Sequence, residues 1–233
     1  METAALLNGR LKLVQELTLL AGLSPADCGH ILLSAREKRY ERKQTIFSEG
    51  DPVRQVIVLL SGCVKGVQIG LSGNEVILRL NGAGEIVGAF HGCSRCQQCS
   101  TAQAIQPCVA LVWEAADFER LLEQFPIFRR NTVHALEQRL HEMEQRFREV
   151  STERVQARLS SELLRLSKRM GRPGQGHFEI GLSRAELAQL TGTTLFTVSR
   201  LLCQWQSLGI VRNRREGVLL LDFQALTELS ESE

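Results

Sequence analysis

The chain contains 233 residues, a length that accommodates two domains of moderate size. Apolar residues make up 43% and charged residues 23%, as in globular proteins, and no apolar run reaches the ~18 residues that a membrane span requires. The net charge is only +2, no export signal is recognisable, and the seven cysteines are therefore expected to be reduced in the cytoplasm.

The N-terminal half changes from a helical to a strand-like pattern. Leu11, Val14 and Leu17 recur at helical spacing and predict short N-terminal helices. From Lys38 onward, short runs rich in β-branched residues alternate with glycine-containing turns, which is typical of a compact antiparallel roll or barrel. The predicted strands cover residues 45–47, 53–60, 64–69, 75–80 and 109–113.

A long helix is predicted after Pro126. Its apolar residues are spaced alternately three and four positions apart, as in an a/d heptad seam. The narrow stripe favours a two-stranded coiled-coil homodimer over an amphipathic helix that lies on its own domain. A second helix is predicted over residues 153–169, followed by a glycine-rich loop and a short strand over 177–180. The seam consists of Val133, Leu136, Leu140, Met143, Phe147 and Val150.

The C-terminal part carries a helix-turn-helix pattern. Ser183 and Glu186 form a capping box, which marks the start of one helix. This helix stops at Thr191 and Gly192, and a second helix is predicted over residues 195–208. Residues 154–215 also contain 11 basic and 3 acidic side chains, and this local excess of +8 indicates an anionic partner.

The outward side of the second helix predicts contacts with double-stranded DNA. Arg200 can present a bidentate fork to guanine, and Ser199 or Thr194 can bond a phosphate or a base. A β-hairpin wing with a basic tip is predicted over residues 211–221. The predicted DNA-binding residues are Ser183, Thr194, Phe196, Thr197, Ser199, Arg200, Arg212 and Arg214.

Several separate segments resemble the Crp/Fnr family of bacterial transcription regulators. Residues 46–51 (IFSEGD) are similar to the early roll signature of the family, residues 84–88 (GEIVG) to its Gly-Glu turn, and residues 197–200 (TVSR) to its recognition helix. The resemblance implies an α+β fold with a cupin-like, cyclic-nucleotide-binding-like antiparallel β-roll, a dimerisation helix and a C-terminal winged helix-turn-helix. It also implies a homodimer that binds a palindromic DNA site and contacts RNA polymerase. Residues 193–200 are most similar to the nitric-oxide-responsive branch, which is concerned with denitrification.

The chain departs from the cyclic-AMP-binding members of that family. Their Arg-Ser pair, which neutralises the cyclic phosphate, appears here as Cys99-Ser100, although a glutamate is present as Glu85. Without the arginine, a buried phosphate lacks a charge partner, and cyclic AMP is therefore disfavoured. Phe196 replaces a glutamate that many members use for base recognition, and its ring can contact a thymine methyl group. The effector pocket that the resemblance implies as an alternative comprises Glu85, His91, Ser100 and Thr101.

Four cysteines in C-x2-C-x2-C-x8-C spacing are the candidate sensor. Four thiolates are the number that an iron-sulfur cluster or a structural zinc ion takes, so these two cofactors are favoured. Direct thiol oxidation near Arg95, haem with His91 or a cysteine as axial ligand, and cysteines that are merely small apolar residues are the alternatives. The candidate ligands are Cys93, Cys96, Cys99 and Cys108.

The predicted domains are a sensory roll over residues 1–125, a dimerisation helix over 126–150 and a winged helix-turn-helix domain over 151–233. The predicted function is a dimeric, sequence-specific DNA-binding regulator that senses a redox or gaseous signal through its cysteines. The alternatives are a regulator whose roll binds a cyclic nucleotide or haem, and a cupin-like metalloenzyme. The enzyme is disfavoured because the sequence shows no 2-His-1-carboxylate set and no nucleophile with a base.

Overall fold

The computed structural model describes residues 17–71, 73–89, 96–170, 172–173 and 178–231. These residues divide into two compact units. Within the described ranges, the first unit contains the residues up to Gln68 together with Arg79–His141. The second contains Ile69–Leu78 and the residues from Glu142 onward.

The N-terminal half of the chain is built around antiparallel strands. They form two four-stranded sheets, one in the order β1-β8-β3-β6 and the other in the order β2-β7-β4-β5. This arrangement confirms the predicted antiparallel roll. The strands are β1 Arg36–Tyr40, β2 Thr45–Phe47, β3 Gln55–Ser61, β4 Val64–Ile69, β5 Glu75–Asn81, β6 Ile86–Val87, β7 Thr101–Ala104 and β8 Cys108–Glu114.

Helices close one side of this roll. A short 3-10 turn (Thr18–Leu20) and α1 (Pro25–Leu33) precede the strands, and α2 (Ala115–Gln124) follows them. Trp113, Phe118 and Phe128 are buried together, with edge-to-face ring contacts from Phe118 to both of the others. The indole N–H of Trp113 donates to the carbonyl oxygen of Ile31 over 3.0 Å, so the largest core side chain also has its polar group satisfied.

Helix α3 (Pro126–Thr152) is 27 residues long, or about 40 Å at the usual rise per residue. Its N-terminal part packs on the roll, where Phe128 and Thr132 are buried. The side-chain amide of Asn131 donates to the carbonyl oxygens of Leu19 and Ala21 over 3.0 and 2.8 Å. These contacts fix the start of the helix within the N-terminal unit.

The C-terminal unit contains helices and one small sheet. The helices are α4 (Val155–Met170), α5 (Arg184–Thr191), α6 (Leu195–Ser207) and α7 (Phe223–Glu231). The sheet has the order β11-β12-β10-β9, formed by Val211–Arg214, Gly217–Leu220, Phe178–Ile180 and Arg172–Pro173. The buried residues of this unit include Leu159, Leu163, Leu166, Leu202 and Trp205, which lie on α4 and α6. No helix in the described ranges combines the length and apolarity needed to cross a membrane.

Candidate nucleic-acid interface and cysteine segment

The first helix of the helix-turn-helix begins with the predicted capping box. The Ser183 hydroxyl accepts the backbone N–H of Glu186 over 3.2 Å, and the Glu186 carboxylate accepts the N–H of Ser183 over 2.9 Å. The helix ends at Gly192, whose φ of 61° is in the left-handed region that favours glycine. Ser183 therefore has a structural role at the start of α5, and its contact with DNA stays a prediction.

The turn between the helices is closed by Thr194, which caps α6. Its hydroxyl accepts the N–H of Thr197 over 3.1 Å and lies 2.9 Å from the Thr197 hydroxyl. Both threonines thus shape the N-terminus of the helix. An N-terminus of this kind presents backbone N–H groups to an anion such as a DNA phosphate.

Helix α6 has one buried face and one exposed face. Val198, Leu202 and Trp205 are buried, as the spacing predicts. On the other face, the Phe196 side chain is 77% exposed and Arg200 is exposed, while Ser199 is partly exposed. An exposed phenyl ring one turn from an exposed guanidinium suits a surface that meets base edges, where the ring can contact a thymine methyl group and the guanidinium a guanine.

The predicted wing is a hairpin formed by β11 and β12, in which Arg212 pairs with Leu219 and Arg214 with Gly217. Arg212 and Arg214 are exposed. The backbone N–H of Asn213 donates to the Gln206 side chain over 2.8 Å, and its side-chain amide donates to the Leu202 carbonyl oxygen over 3.2 Å. These bonds attach the basic wing to α6.

Helix α3 carries the predicted heptad seam. Five of its six residues are exposed, with fractions between 49% for Val133 and 76% for Phe147. The exception is Leu136, which packs partly against the core of the roll. The first turns of the helix therefore lie on the roll, whereas most of the apolar stripe is exposed in the single chain, and the coiled-coil dimer stays a prediction. The exposed five are Val133, Leu140, Met143, Phe147 and Val150.

The candidate cysteine ligands differ in environment. Cys96 is disulfide-bonded, Cys99 is free and exposed, and Cys108 is free and buried. Burial raises the pKa of the Cys108 thiol, whose Sγ donates to the carbonyl oxygen of Cys63 over 3.4 Å. Cys93 and His91 lie outside the described residues.

The strand β7 separates Cys108 from Cys99. At its N-terminal end the hydroxyl of Thr101 accepts the N–H of Glu49, and at its C-terminal end Ala104 bonds the backbone of Lys43 and Gln44. Cys99 precedes this strand and Cys108 follows it, and each strand residue adds about 3.3 Å. Among the described residues, which include neither His91 nor Cys93, no group of three or more His, Cys, Asp or Glu residues could hold a metal ion.

Gln98 attaches the cysteine segment to the roll, next to a contact between the roll and α3. Its backbone pairs with Asp51 and Gly50, and its buried side-chain oxygen accepts the N–H of Ala89 over 2.9 Å. Next to Ala89, the carbonyl oxygen of Gly88 accepts Nη1 of Arg139 over 2.9 Å. Hydrogen bonds on the two sides of the Gly88–Ala89 peptide therefore connect the cysteine segment with α3. Sequence reasoning missed Gln98 and Arg139, since no motif marks either of them.

Two residues of the alternative effector pocket already have local partners. The carboxylate of Glu85 accepts the N–H of Gly82 over 3.2 Å and the side-chain amide of Asn81 over 3.4 Å, so it stabilises its own turn. Thr101 binds the N–H of Glu49. Ser100 is buried, with 6% of its surface exposed. Of the three, Ser100 is the one whose hydroxyl the described contacts leave available to a ligand.

Comparison with known proteins connects both units with one family. Residues 37–125 match the family model of the cyclic nucleotide-binding domain, and residues 157–229 match the Crp-like helix-turn-helix domain. The chain belongs to the Crp/Fnr family of transcription regulators. This membership confirms the predicted fold class, with a β-roll, a long helix and a C-terminal helix-turn-helix.

The relatives of this Crp/Fnr regulator are themselves regulators. It is 25% identical over 197 residues to the anaerobic regulatory protein of Haemophilus influenzae, covering 84% of this chain and 76% of that protein. It is 29% identical over 194 residues to the cyclic AMP receptor protein of Thermus thermophilus, covering 83% of this chain and 88% of that protein. The solved structure of FixK2 from Bradyrhizobium japonicum matches with a TM-score of 0.73 at 21% identity, over 85% of this chain and 98% of that one. Homologues of the chain are DNA-binding transcription regulators rather than enzymes, as predicted.

Proposed function

We propose that this regulator binds a palindromic DNA site as a homodimer and that the oxidation state of its cysteine segment sets its affinity for that site. The exposed N-terminal face of α6 carries the first part of the proposal, because Phe196 and Arg200 stand out beside a basic wing. In the proposed complex each α6 enters a major groove, and the two half-sites are related by the twofold axis of the dimer. Contact with RNA polymerase then converts binding into regulation.

Replacing Arg200 with alanine is expected to weaken binding to the specific site by roughly 1 to 3 kcal/mol and to relax selectivity at one base pair of each half-site. The reason is the loss of a bidentate contact with a guanine. The site is first selected from random duplexes with the unaltered protein, and affinities are then measured by fluorescence anisotropy at fixed salt. Arg36→Ala, which removes an exposed arginine on β1, is the matched control. Equal losses on specific and random DNA would contradict the role of Arg200.

Thiol oxidation is the proposed signal at the cysteine segment. In this step the thiols of Cys93 and Cys96 form a disulfide, and their two protons and two electrons pass to a peroxide or a low-molecular-weight disulfide. The disulfide-bonded state of Cys96 and the free, exposed thiol of Cys99 support the proposal, because an accessible neighbouring thiol can exchange with such a bond. Nitric oxide, the gaseous signal suggested by residues 193–200, is tested by exposing the reduced protein to it and measuring the affinity for DNA in the same cysteine variants.

Coupling to DNA is proposed to run through Arg139. In this proposal, oxidation alters how Gln98 bonds the backbone N–H of Ala89, and the neighbouring Gly88 carbonyl oxygen passes the change to the guanidinium on α3. Arg139 is partly buried, and burial lowers the pKa of its guanidinium, so the loss of the Gly88 acceptor is costly. A displaced Gly88 carbonyl oxygen would therefore shift the helix that pairs the two chains.

Oxidised and reduced protein are expected to differ in affinity for the selected DNA site by about 5- to 150-fold, the usual range of coupling between sites. Cys96→Ser is expected to abolish this difference, and Arg139→Met to reduce it while the disulfide still forms. Cys203→Ser serves as the control, because Cys203 is an exposed thiol on α6. A redox response that disappears in Cys203→Ser and persists in Cys96→Ser would contradict the proposal that the cysteine segment is the sensor.

A metal, an iron-sulfur cluster or haem remains the second candidate for the same segment. The sequence spacing of Cys93, Cys96 and Cys99 supports it, whereas Cys108 is buried beyond β7 and bonds the backbone of Cys63. An absorption spectrum with metal and sulfide analysis on anaerobically purified protein separates the cofactors from bare thiols. Stoichiometric metal or haem would replace the disulfide proposal, and cyclic AMP is tested by calorimetry on the same preparation.

A further inference from the structure

The first turn of α6 exposes two adjacent apolar side chains, the apolar pair Leu195 and Phe196. Leu195 is 53% exposed and Phe196 is 77% exposed. The buried face of the same helix is formed by other residues, among them Val198, Leu202 and Trp205. The apolar pair therefore contributes little to the core of this unit, and its contact with water favours a partner that would cover it.

The hydroxyl groups at the start of this helix bond each other. The Thr194 hydroxyl accepts the N–H of Thr197 over 3.1 Å, and the two hydroxyl oxygens lie 2.9 Å apart. Val198, the fourth residue of the helix, is buried. The polar side chains thus complete the N-terminal cap, while the apolar pair forms the exposed surface of the first turn. A partner of this turn is expected to be recognised there through apolar contacts.

The charges around the apolar pair favour double-stranded DNA as that partner. Helix α6 (LFTVSRLLCQWQS) contains no acidic residue, and the exposed Arg200 follows Phe196 by one turn. The wing adds the exposed Arg212 and Arg214, and Asn213 bonds the wing to α6. A polyanion is attracted to such a surface. In the major groove of DNA, the apolar group on a base edge is the C5-methyl group of thymine.

The positions of the apolar pair suit two neighbouring bases. Leu195 precedes Ser199 by one helical turn. Phe196 precedes Arg200 by one turn, so each member of the pair begins a row of side chains that contains a predicted DNA contact. Consecutive Cα atoms lie about 3.8 Å apart, and neighbouring bases of a strand are stacked about 3.4 Å apart. Two adjacent side chains can therefore reach two adjacent bases.

We propose that the apolar pair recognises the C5-methyl groups of two adjacent thymines in each half-site. Because the side chains of Leu195 and Phe196 carry no hydrogen-bonding group, they distinguish bases by this methyl group and not by the polar groups beside it. 5-Methylcytosine carries the same methyl group at the same ring position, so the protein is expected to accept it in place of these thymines. The inference rests on the proposed binding of a palindromic site through α6, and it adds sensitivity to pyrimidine methylation.

The test replaces the thymines of the selected palindrome with deoxyuridine, one position at a time and in both half-sites. Deoxyuridine retains the base pairing of thymidine and lacks only the methyl group. Burial of one methyl group corresponds to a factor of about four in affinity, so the loss of one in each half-site is expected to weaken binding about 15-fold. Fluorescence anisotropy at fixed salt measures this response. Two adjacent positions are expected to respond, and Phe196→Ala is expected to remove the response at one of them and Leu195→Ala at the other.

Leu208→Ala is the matched control, because Leu208 is 65% exposed and lies at the opposite end of α6. It is expected to leave both responses unchanged. Alanine favours helices, so none of the three substitutions at these exposed positions is expected to impair folding. A response of equal size in the unaltered protein and in both pair variants would indicate an effect of DNA shape and would overturn the inference, as would a response that Leu208→Ala removes. A response removed by Phe196→Ala alone would contradict the role of Leu195.

Cytosine and 5-methylcytosine, each paired with guanine, are then placed at the two responsive positions. 5-Methylcytosine is expected to restore most of the affinity that cytosine loses. Absence of this recovery would mean that other groups of the thymine–adenine pair are recognised, contrary to the inference. A palindrome without methyl-dependent positions, on which Arg200→Ala still relaxes selectivity, would overturn this inference alone. Failure to select any palindromic site would overturn the proposed function as well.

Discussion

Replacing Phe147 with glutamate is expected to convert the protein from a dimer into a monomer and to weaken binding to the selected palindromic site by about 100-fold or more. Phe147 is the most exposed residue of the heptad stripe, so its replacement removes little from the folding of a single chain. In the proposed dimer the side chain packs twice, once from each chain. Burial of one such side chain contributes about 1.5–3 kcal/mol, and a carboxylate in its place adds a desolvation cost.

Light scattering coupled to size-exclusion chromatography measures the mass, and anisotropy measures the affinity for full and half sites. Gln138→Glu is the matched control, because it introduces the same charge at an exposed position of the same helix outside the stripe. The control is expected to remain dimeric and to bind the full site as before. A Phe147→Glu protein that still has the mass of a dimer would place the dimer interface elsewhere.

Arg165→Met is expected to lower the free energy of unfolding by about 3 kcal/mol, at the lower end of the range for a broken buried ion pair. Arg165 on α4 forms two hydrogen bonds of 2.7 Å with the carboxylate of Glu149 on α3. It also contacts Glu162, which in turn bonds Arg146 over 2.7 Å. Both carboxylates are almost completely buried, while the arginine side chain is 37% exposed. The substitution therefore leaves Glu149 buried without its cation.

Chemical denaturation at neutral pH measures this loss, with Arg169→Met as the control. Arg169 is also on α4 and also pairs with α3, through Glu142, but that carboxylate is 59% exposed and the pair is expected to contribute less than about 1 kcal/mol. Comparable losses in the two variants would contradict a special role for the buried network.

The same network predicts a loss of stability in acid. Burial opposes ionisation of Glu162, but Arg146 and Arg165 outweigh it, and the pKa of Glu162 is lowered. A carboxyl group with a lowered folded-state pKa contributes its full stabilisation above its unfolded-state pKa and loses it as the pH falls through the folded-state pKa. The difference between Arg165→Met and the unaltered protein should therefore narrow at acid pH.

Sequence patterns predicted the strands whose residues are β-branched and separated by glycine turns. Strands 45–47 and 64–69 were predicted with the bounds that the structure gives β2 and β4. Strand β1 escaped prediction because its sequence, REKRY, exposes four of five residues at the edge of a sheet, where solvent replaces the apolar alternation. Strand β7 (TAQA) was missed because it is short and its inner residues are alanines.

The parts of the site that neighbouring residues determine were predictable from the sequence, whereas contacts between distant residues were not. The capping box, the turn and the exposed face of α6 depend on residues that are close in sequence, and the structure places them as expected. The grouping of Cys108 with Cys93, Cys96 and Cys99 stays a prediction, because spacing along the chain does not show that Cys99 precedes β7 and that Cys108 follows it. The contact of Arg139 with the Gly88 carbonyl oxygen joins residues 51 positions apart, and no local pattern indicates it.

Leu136 belongs to two apolar surfaces, the heptad stripe of α3 and the core of the roll. The same side chain is a member of the heptad stripe and a partly buried neighbour of the roll's core. In the proposed dimer, its methyl groups would touch the hydrophobic interior of one protomer and the surface of the other at once. In that dimer, a change of packing inside the roll would move Leu136 and would thereby reach the second protomer directly through this one side chain.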